Sequence, residues 1–429
     1  MSFKFVADCR VLLTSAACLF TFGSTTAAAG PDIALAVNSL GLDLYREQIK
    51  SAGNSGVLLS PYSLATALAM TYAGAEGVTK TEMEKVLHLP SDQTTCSAAF
   101  ASLAHQLGIV TSNSARDAAR MRAHGGDVTP VQLNVANRLF VQRNFSLRAA
   151  FVAEMRDHFG SSLAELDFKH GASQARETIN EWVANQTQEN IRNLLPASEP
   201  RADTRLVLVN ALYLKAAWAN EFAESDTKPE PFHFIGWEAA SLPTLRHHHE
   251  FGYAKREDYT VVTLPYLGKE LQFVLFVPDK YDGLASLERS LTAKKLTDCT
   301  KLEERDVILH LPKFKLEPET MALTEALQSL GLSTAFDRPS GSANFDRMAP
   351  RHPDDYLAIS DVFHKTWVIL DEHGTEAAAA TEVQMITLGM ALHSRPPPIE
   401  VRADRPFLFA IQHVPSGACL FLGRVTDPR

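Results

Sequence analysis

The stretch 204–218, TRLVLVNALYLKAAW, restricts the possible folds more than any other part of the chain. At a strand's two-residue period, Leu206, Leu208, Leu212 and Leu214 share one face, and Val207, Val209, Ala211 and Tyr213 share the other. A strand that is apolar on both faces is covered by other layers on both sides, so it belongs in the middle of a sheet inside a substantial domain. Asn210 stands at its centre and needs hydrogen-bond partners once buried there.

The rest of the chain places helices before that strand and mostly strands after it. Val37, Leu40 and Leu44 stand at helical spacing. Ser60 and Pro61 read as the N-cap and first position of a helix whose stripe is Leu64, Leu68 and Tyr72, up to Gly74. Further helices are expected around Glu82, Val86 and Leu87, over about 98–110, around Leu147, Phe151, Met155 and Phe159, and over about 173–195. In the last of these Ile179, Trp182 and Val183 mark the apolar side and Pro196 closes it. The stretch 111–130 reads as a solvated loop; Arg116, Arg120, Arg122 and His124 are its polyanion-binding alternative, but Asp117 and Asp127 lie among and beside them.

VQLNVANRLFVQ reads as a strand. Beyond the central strand come a hairpin turning at Leu267 and Gly268, the strand VILHLPKFKL, a short helix in LTEALQSLGL ended by Gly331, and a hairpin from FLFAIQH through Pro415, Ser416 and Gly417 to ACLFLGRV. No internal repeat or linker divides the chain, so its 429 residues are expected to form one mixed domain after the N-terminal segment.

That segment reads as a secretory signal over 1–29. Lys4 and Arg10 flank the start of the apolar run 11–22, and Ala27, Ala28 and Ala29 offer a small-residue cleavage site. Lipidation at Cys18 is the alternative, with Ser15 where such motifs usually carry Leu. The expected product is secreted or periplasmic, reaching the extracellular space, with no membrane span. Cys96, Cys299 and Cys419 are an odd, widely spaced set, expected to be free or buried thiols. The net charge of −9 disfavours nucleic acid as a partner.

No catalytic motif stands out: the chain has no Gly-x-Ser-x-Gly elbow, no His-Glu-x-x-His, no Walker loop and no Gly-x-Gly-x-x-Gly opening a helix. His247, His248, His249 and Glu250 form the one metal-like cluster. Consecutive residues point in different directions on a strand or helix, so a polar loop is expected there and no metal site.

The stretch 370–395, LDEHGTEAAAATEVQMITLGMALHSR, connects two strand-like runs and is unusually long for a connection inside a domain. From Gly374 onward, Thr375, Ala377, Ala379, Thr381, Val383, Met385 and Thr387 form an uncharged face, while Glu376 and Glu382 fall on the other. That is the pattern of a half-buried strand; Glu-Ala-Ala-Ala-Ala is also a strong helix former, so the stretch can rest in one form and pair in another. As a strand, 374–387 would extend roughly 45 Å.

In order along the chain, NSGVLLSPYSLATALAMTYAGAEGVT, LNVANRLFV, INEWVANQTQENIRNLLP, LVLVNALYLKAAW, ISDVFHKTWVILDEHGTEAAAAT, ADRPFLFAI and LFLGRVTDP resemble the serpin family, over about 37–428. The resemblance implies an α+β fold: a single domain over 36–429 with a mixed, five-stranded central sheet, further sheets, about eight to nine helices, and an exposed reactive loop at about 372–398. It implies an inhibitor and not an enzyme. A serine protease, or sometimes a cysteine protease, attacks the loop and becomes acylated, and the loop then inserts into the central sheet, carrying and distorting the trapped enzyme.

By the same resemblance Glu372, Gly374, Thr375, Ala377, Ala378, Ala379, Ala380 and Thr381 form the inhibitory hinge, from which His373 departs mildly. Ser60, Ser63, Asn210 and His364 match the polar cluster that controls opening of the sheet, and Trp218 the place where the loop enters. Spacing from Gly374 puts the scissile bond between Leu388 and Gly389, implying a chymotrypsin-like, elastase-like or subtilisin-like target. Met385, Met390 and Leu392 stay open, as does Arg395, which counting back from Pro406 favours although Pro396 follows it. A monomer without cofactor is expected. The alternatives are a non-inhibitory serpin serving as a binding or carrier module and an exported hydrolase using the histidine cluster.

Overall fold

Among the described residues helices dominate up to residue 186 and strands beyond it. The first part runs α1 (Ile33–Ala52), β1 (Val57–Leu59), α2 (Pro61–Tyr72), α3 (Gly77–Val86), α4 (Gln93–Ala123), β2 (Gln132–Gln142), α5 (Ala149–Phe159), β3 (Ala164–Leu166) and α6 (Phe168–Gln186). The middle comprises β4 (Leu206–Ala217), β5 (Lys228–His233), β6 (Ala239–Lys255), β7 (Tyr259–Pro265), β8 (Leu271–Pro278), α7 (Leu284–Ser290) and α8 (Ala293–Asp298). The last part holds β9 (Glu303–Pro312), β10 (Phe314–Leu316), β11 (Met321–Ala322), α9 (Thr324–Ser329), β12 (Ile359–Thr366), β13 (Val368–Leu370), β14 (Gly374–Thr375), β15 (Ile399–Arg402), β16 (Phe407–His413) and β17 (Cys419–Val425).

This computed structural model describes residues 32–125, 128–160, 163–236, 238–353, 355–375 and 397–429. The expected signal segment with Cys18 lies outside the described residues. So do Ala377, Ala378, Ala379, Ala380 and Thr381 of the hinge, Leu388 and Gly389, and the other scissile candidates Met385, Met390, Leu392 and Arg395.

Among the described residues there are two sheets. One has the order β1-β17-β16-β8-β7-β6-β9-β15, with β5 also on β6. The other has β4 at its centre, antiparallel to β2 and parallel to β12, with β3 beyond β2 and β10, β11, β13 and β14 completing it. Since β13 continues β12 after Trp367, and β10 and β11 both lie along that outer edge, the sheet has five columns with β14 entering as a wedge between β13 and β4. The α+β class expected from the sequence is observed, with nine α-helices among the described residues.

Both faces of β4 are covered, as its pattern requires. Leu206, Leu208, Leu212 and Leu214 enter the main core, while Val207, Val209 and Ala211 enter a second core with Phe140, Phe168, Ile179 and Val183. Each Leu or Val fully removed from water there contributes about 1.5–3 kcal/mol. Helix α2 is buried on all sides beneath the sheet, capped by Ser60, whose hydroxyl accepts the Ser63 N–H. It packs so closely on α1 that a Cβ on Gly41 would lie 2.5 Å from the Pro61 ring. Cys96, Cys299 and Cys419 are free and buried.

Four local expectations are corrected. Residues 111–123 are not a loop but the second half of α4. Ser114 and Ala118 form its buried stripe, small enough to escape an apolar count, and the Ser114 hydroxyl accepts the Val131 N–H at 3.0 Å. The helix expected over 173–195 is the part of α6 that follows a kink at Gly171, and it ends early, at Gln186, because Thr187 takes over its last carbonyls and positive φ values at Gln188, Glu189 and Asn193 turn the chain. Ile191, Leu194 and Leu195 still pack into the second core, which is why the apolar pattern runs on past the helix. VILHLPKFKL is two strands, β9 and β10, parted at Lys313 and sent into different sheets. The histidine cluster lies on β6 and not in a polar loop.

Candidate functional site

The start of the long connection is seated in the sheet. After β13 the chain turns over 371–374 and re-enters as β14, with Gly374 opposite Ala217 and Thr375 opposite Ala216. The Asp371 carboxylate accepts the N–H groups of His373 at 2.9 Å and Gly374 at 3.2 Å, an aspartate turn of the kind this residue favours. Burial pushes the Asp371 carboxyl upward. Gly374 has φ +151, and a Cβ would sit 2.1 Å from the Ala216 carbonyl oxygen, so only glycine passes there. Thr375 is 1% exposed, and its hydroxyl lies 2.6 Å from that of Tyr266.

Trp218, the next residue after β4, clamps this turn. Its backbone N–H donates to the His373 carbonyl at 2.9 Å and its indole N–H to the Asp371 carbonyl at 3.0 Å. Its ring stacks on Tyr266 with centroids 4.6 Å apart. Glu372 is buried, accepting from Lys313 at 2.7 Å and Thr227 at 2.9 Å, and its carbonyl accepts the Phe222 N–H at 3.0 Å. Burial alone would raise the Glu372 pKa; Lys313 and Thr227 outweigh it and the net direction is downward.

Below the hinge a polar network crosses the sheet. In register, Asn137 of β2 and His364 of β12 both stand opposite Asn210 of β4. His364 Nδ1 donates to Asn210 Oδ1 at 2.5 Å, while Nε2 accepts the Ser60 N–H at 3.0 Å. That assignment needs the neutral ring, and complete burial holds the His364 pKa down at about 3. Asn210 Nδ2 donates to Ser63 Oγ at 2.6 Å and to Asn137 Oδ1 at 2.7 Å, and Ser63 Oγ donates to Asn137 Oδ1 at 2.8 Å. Both polar atoms of the Asn210 side chain are thus hydrogen-bonded within the protein.

The structure brings Ser60, Ser63, Asn210 and His364 together here, and places Trp218, Glu372, Gly374 and Thr375 together at the hinge above. Sequence reasoning missed Asn137, which needed the β2–β4 register to become visible, and Tyr266 and Lys313, which reach the hinge from just past the end of β7 and from the break between β9 and β10. The histidines on β6 divide between faces: His247 packs on Phe222 and stacks on His249, while His248 meets Asp306 at 2.7 Å. Among the described residues no group of His, Cys, Asp and Glu converges to hold a metal ion.

On the edge of β4 that faces β12, pairing runs up to Leu212 against Thr366 and resumes at Ala216 against Thr375. The sheet therefore carries a seam, closed below by the β4–β12 ladder and the His364–Asn210 bond and opened above by β14. Such a seam can admit a strand.

Comparison with known proteins gives the same picture. Residues 35–428 match the family described as Serpin (serine protease inhibitor). An uncharacterized serpin-like protein of Thermococcus kodakarensis is 34% identical over 397 residues, covering 92% of this chain and 85% of its own length. The leukocyte elastase inhibitor of Equus caballus is 35% identical over 400 residues, 90% of this chain and 97% of its own. The crystal structure of Serpin48 from the insect Tenebrio molitor superposes with a TM-score of 0.78 at 29% identity, covering 94% of this chain and all of that one. The chain with the seamed sheet and seated hinge belongs to the serpin family.

Proposed function

We infer that this serpin is an exported inhibitor of serine proteases that works as a suicide substrate, its cleaved loop inserting along β4. The observation that carries this reading is the register of β14. With Gly374 on Ala217 and Thr375 on Ala216, each further loop residue steps one position back along β4. Ala377 would meet Leu214, Ala379 Leu212, Thr381 Asn210, Val383 Leu208 and Met385 Leu206. These β4 residues, Asn210 apart, all belong to the main core, so the uncharged loop face arrives over the apolar side. Glu376 arrives opposite Lys215, and the small residues ask little room of a parting seam.

Loop insertion is the family's mode of strand addition, and it uses main-chain pairing for its energy. Inserting over β4 separates Asn210 from His364 and replaces the β4–β12 ladder. Leu388, with Gly389 after it, is the proposed scissile position, and an apolar residue there fits a chymotrypsin-like, elastase-like or subtilisin-like target. That an elastase inhibitor stands among the relatives supports the same choice. Export by the 1–29 segment would bring the inhibitor to such proteases.

The test is incubation of the purified protein with chymotrypsin, elastase, trypsin and subtilisin, followed by denaturing gels and the mass of the released C-terminal peptide. A covalent complex with a peptide beginning at Gly389 is expected. Complete cleavage by the whole panel with no complex would overturn the inhibitory reading for these protease classes.

A further inference from the structure

His373 lies between the buried Glu372 and the obligatory Gly374, and its ring is held on both sides. Nδ1 is 3.0 Å from Glu221 Oε2, and Nε2 is 3.4 Å from Glu224 Oε1. Both glutamates sit in the segment that leaves β4, just beyond Trp218. A neutral imidazole has one N–H and can donate to one carboxylate only, whereas an imidazolium donates from both nitrogens. Both contacts are therefore made together only with the ring protonated. The His373 side chain is 14% exposed and that of Glu221 26%, while Glu224 is 75% exposed, so the Glu221 contact carries most of the coupling and the outer one is screened.

The backbone of the same residue is the pivot of the hinge. The His373 carbonyl accepts from Trp218 and its N–H donates to Asp371. Whatever holds the ring also holds the turn that presents Gly374 and Thr375 to β4.

We propose that His373 is the positioning residue of the hinge: its imidazolium, clamped between Glu221 and Glu224, keeps the turn closed on Trp218 and sets how far the loop is seated in the sheet. Seating then deepens as pH falls through the histidine range. The consequence for protease capture rests on the inhibitory reading above; the seating itself does not.

The other charges around the turn do not reverse this. Asp371 adds negative charge beside the ring, and Glu372 is taken up by Lys313. His247, packed on Phe222 and with Asp226 nearby, is kept neutral down to about 4 by burial and by His249. For His373 itself burial lowers the pKa, but the Glu221 hydrogen bond and the charges of Glu221 and Asp371, with Glu224, outweigh it, and the net direction is upward. A group whose pKa is raised in the closed turn stabilises that turn fully below its free value and loses the effect as pH rises through the raised one.

A seated Thr375 shortens the free loop, so acid should slow capture of a protease and hasten spontaneous insertion, which starts from strand pairs already formed. The experiment is hydrogen exchange with mass spectrometry on the intact protein at pH 6 and pH 8, following amides 371–375 as protection factors. Wild type should show several-fold more protection at pH 6. His373→Gln and, separately, Glu221→Gln should remove that difference, and His373→Arg, permanently charged, should restore protection at both pH values. Equal pH dependence in wild type and His373→Gln, or no rescue by arginine, would overturn the proposal. The association rate with a captured protease, taken over the same range, separates the two claims. Exchange that follows pH without any complex would overturn the inhibitory reading alone, and complexes formed over a flat exchange profile would overturn the clamp alone.

Discussion

His364 donates to Asn210 across the boundary between β12 and β4, and that bond spans the line along which an entering strand must part the sheet. Its other nitrogen accepts from Ser60 at the buried start of α2, so sheet and helix are locked by one ring. Replacing His364 by Ala leaves the Ser60 N–H and Asn210 oxygen without these partners and opens a cavity. Unfolding in urea should show a loss of about 2–4 kcal/mol. Under the proposed mechanism, spontaneous insertion of the loop on mild heating should be faster in the same variant. Unchanged insertion would show that this bond does not guard the seam.

Acid should destabilise the fold through three buried histidines. Burial holds the pKa of His364 at about 3 and those of His247, with a contribution from His249, and His413 at about 4. All three are neutral when folded, whereas in the unfolded chain they bind protons below about 6.5, so stability falls as pH drops from about 6.5 towards 4. His373 acts in the opposite sense, its raised pKa favouring the fold in acid. Denaturant midpoints across this range should decline, and His364→Gln should flatten the decline by about one proton.

Glu372→Gln should weaken the hinge by removing the charge that Lys313 pairs with and Thr227 donates to. A loss of about 1–3 kcal/mol is expected, since a buried charged hydrogen bond is involved. It should appear as a lower melting temperature together with reduced protection of the Gly374 amide. A lower melting temperature with full protection would place the effect elsewhere.

Gly374→Ala should expel β14, because the new methyl would lie on the Ala216 carbonyl. The stability change should be small, as only a two-residue strand is lost. Capture should suffer far more, with cleaved inhibitor replacing covalent complex on denaturing gels. A complex yield equal to wild type would argue against entry at this register.

Much of this was legible in the sequence where the signal was local. The two apolar faces of 206–214 announced a covered strand, and both cores are where that strand points. Ser60 and Pro61 announced the start of α2. What could not be read depended on register or on distant partners. Asn137 joins the network because β2 and β4 pair one way and not another, and a shift by one residue would turn it to the opposite face. Glu221 and Glu224 reach His373 from some 150 positions away in the chain. The second half of α4 was hidden because Ser114 and Ala118 bury a helix face without bulk, and Lys313 breaks an apolar run that reads as one strand.

Insertion along β4 is tested most directly by nicking the loop with a catalytic amount of protease and following hydrogen exchange over 376–385, with the melting temperature measured alongside. The register of β14 predicts that these amides become protected as they pair with β4, while the melting temperature rises. Free exchange over 376–385 after cleavage, with an unchanged melting temperature, would contradict it.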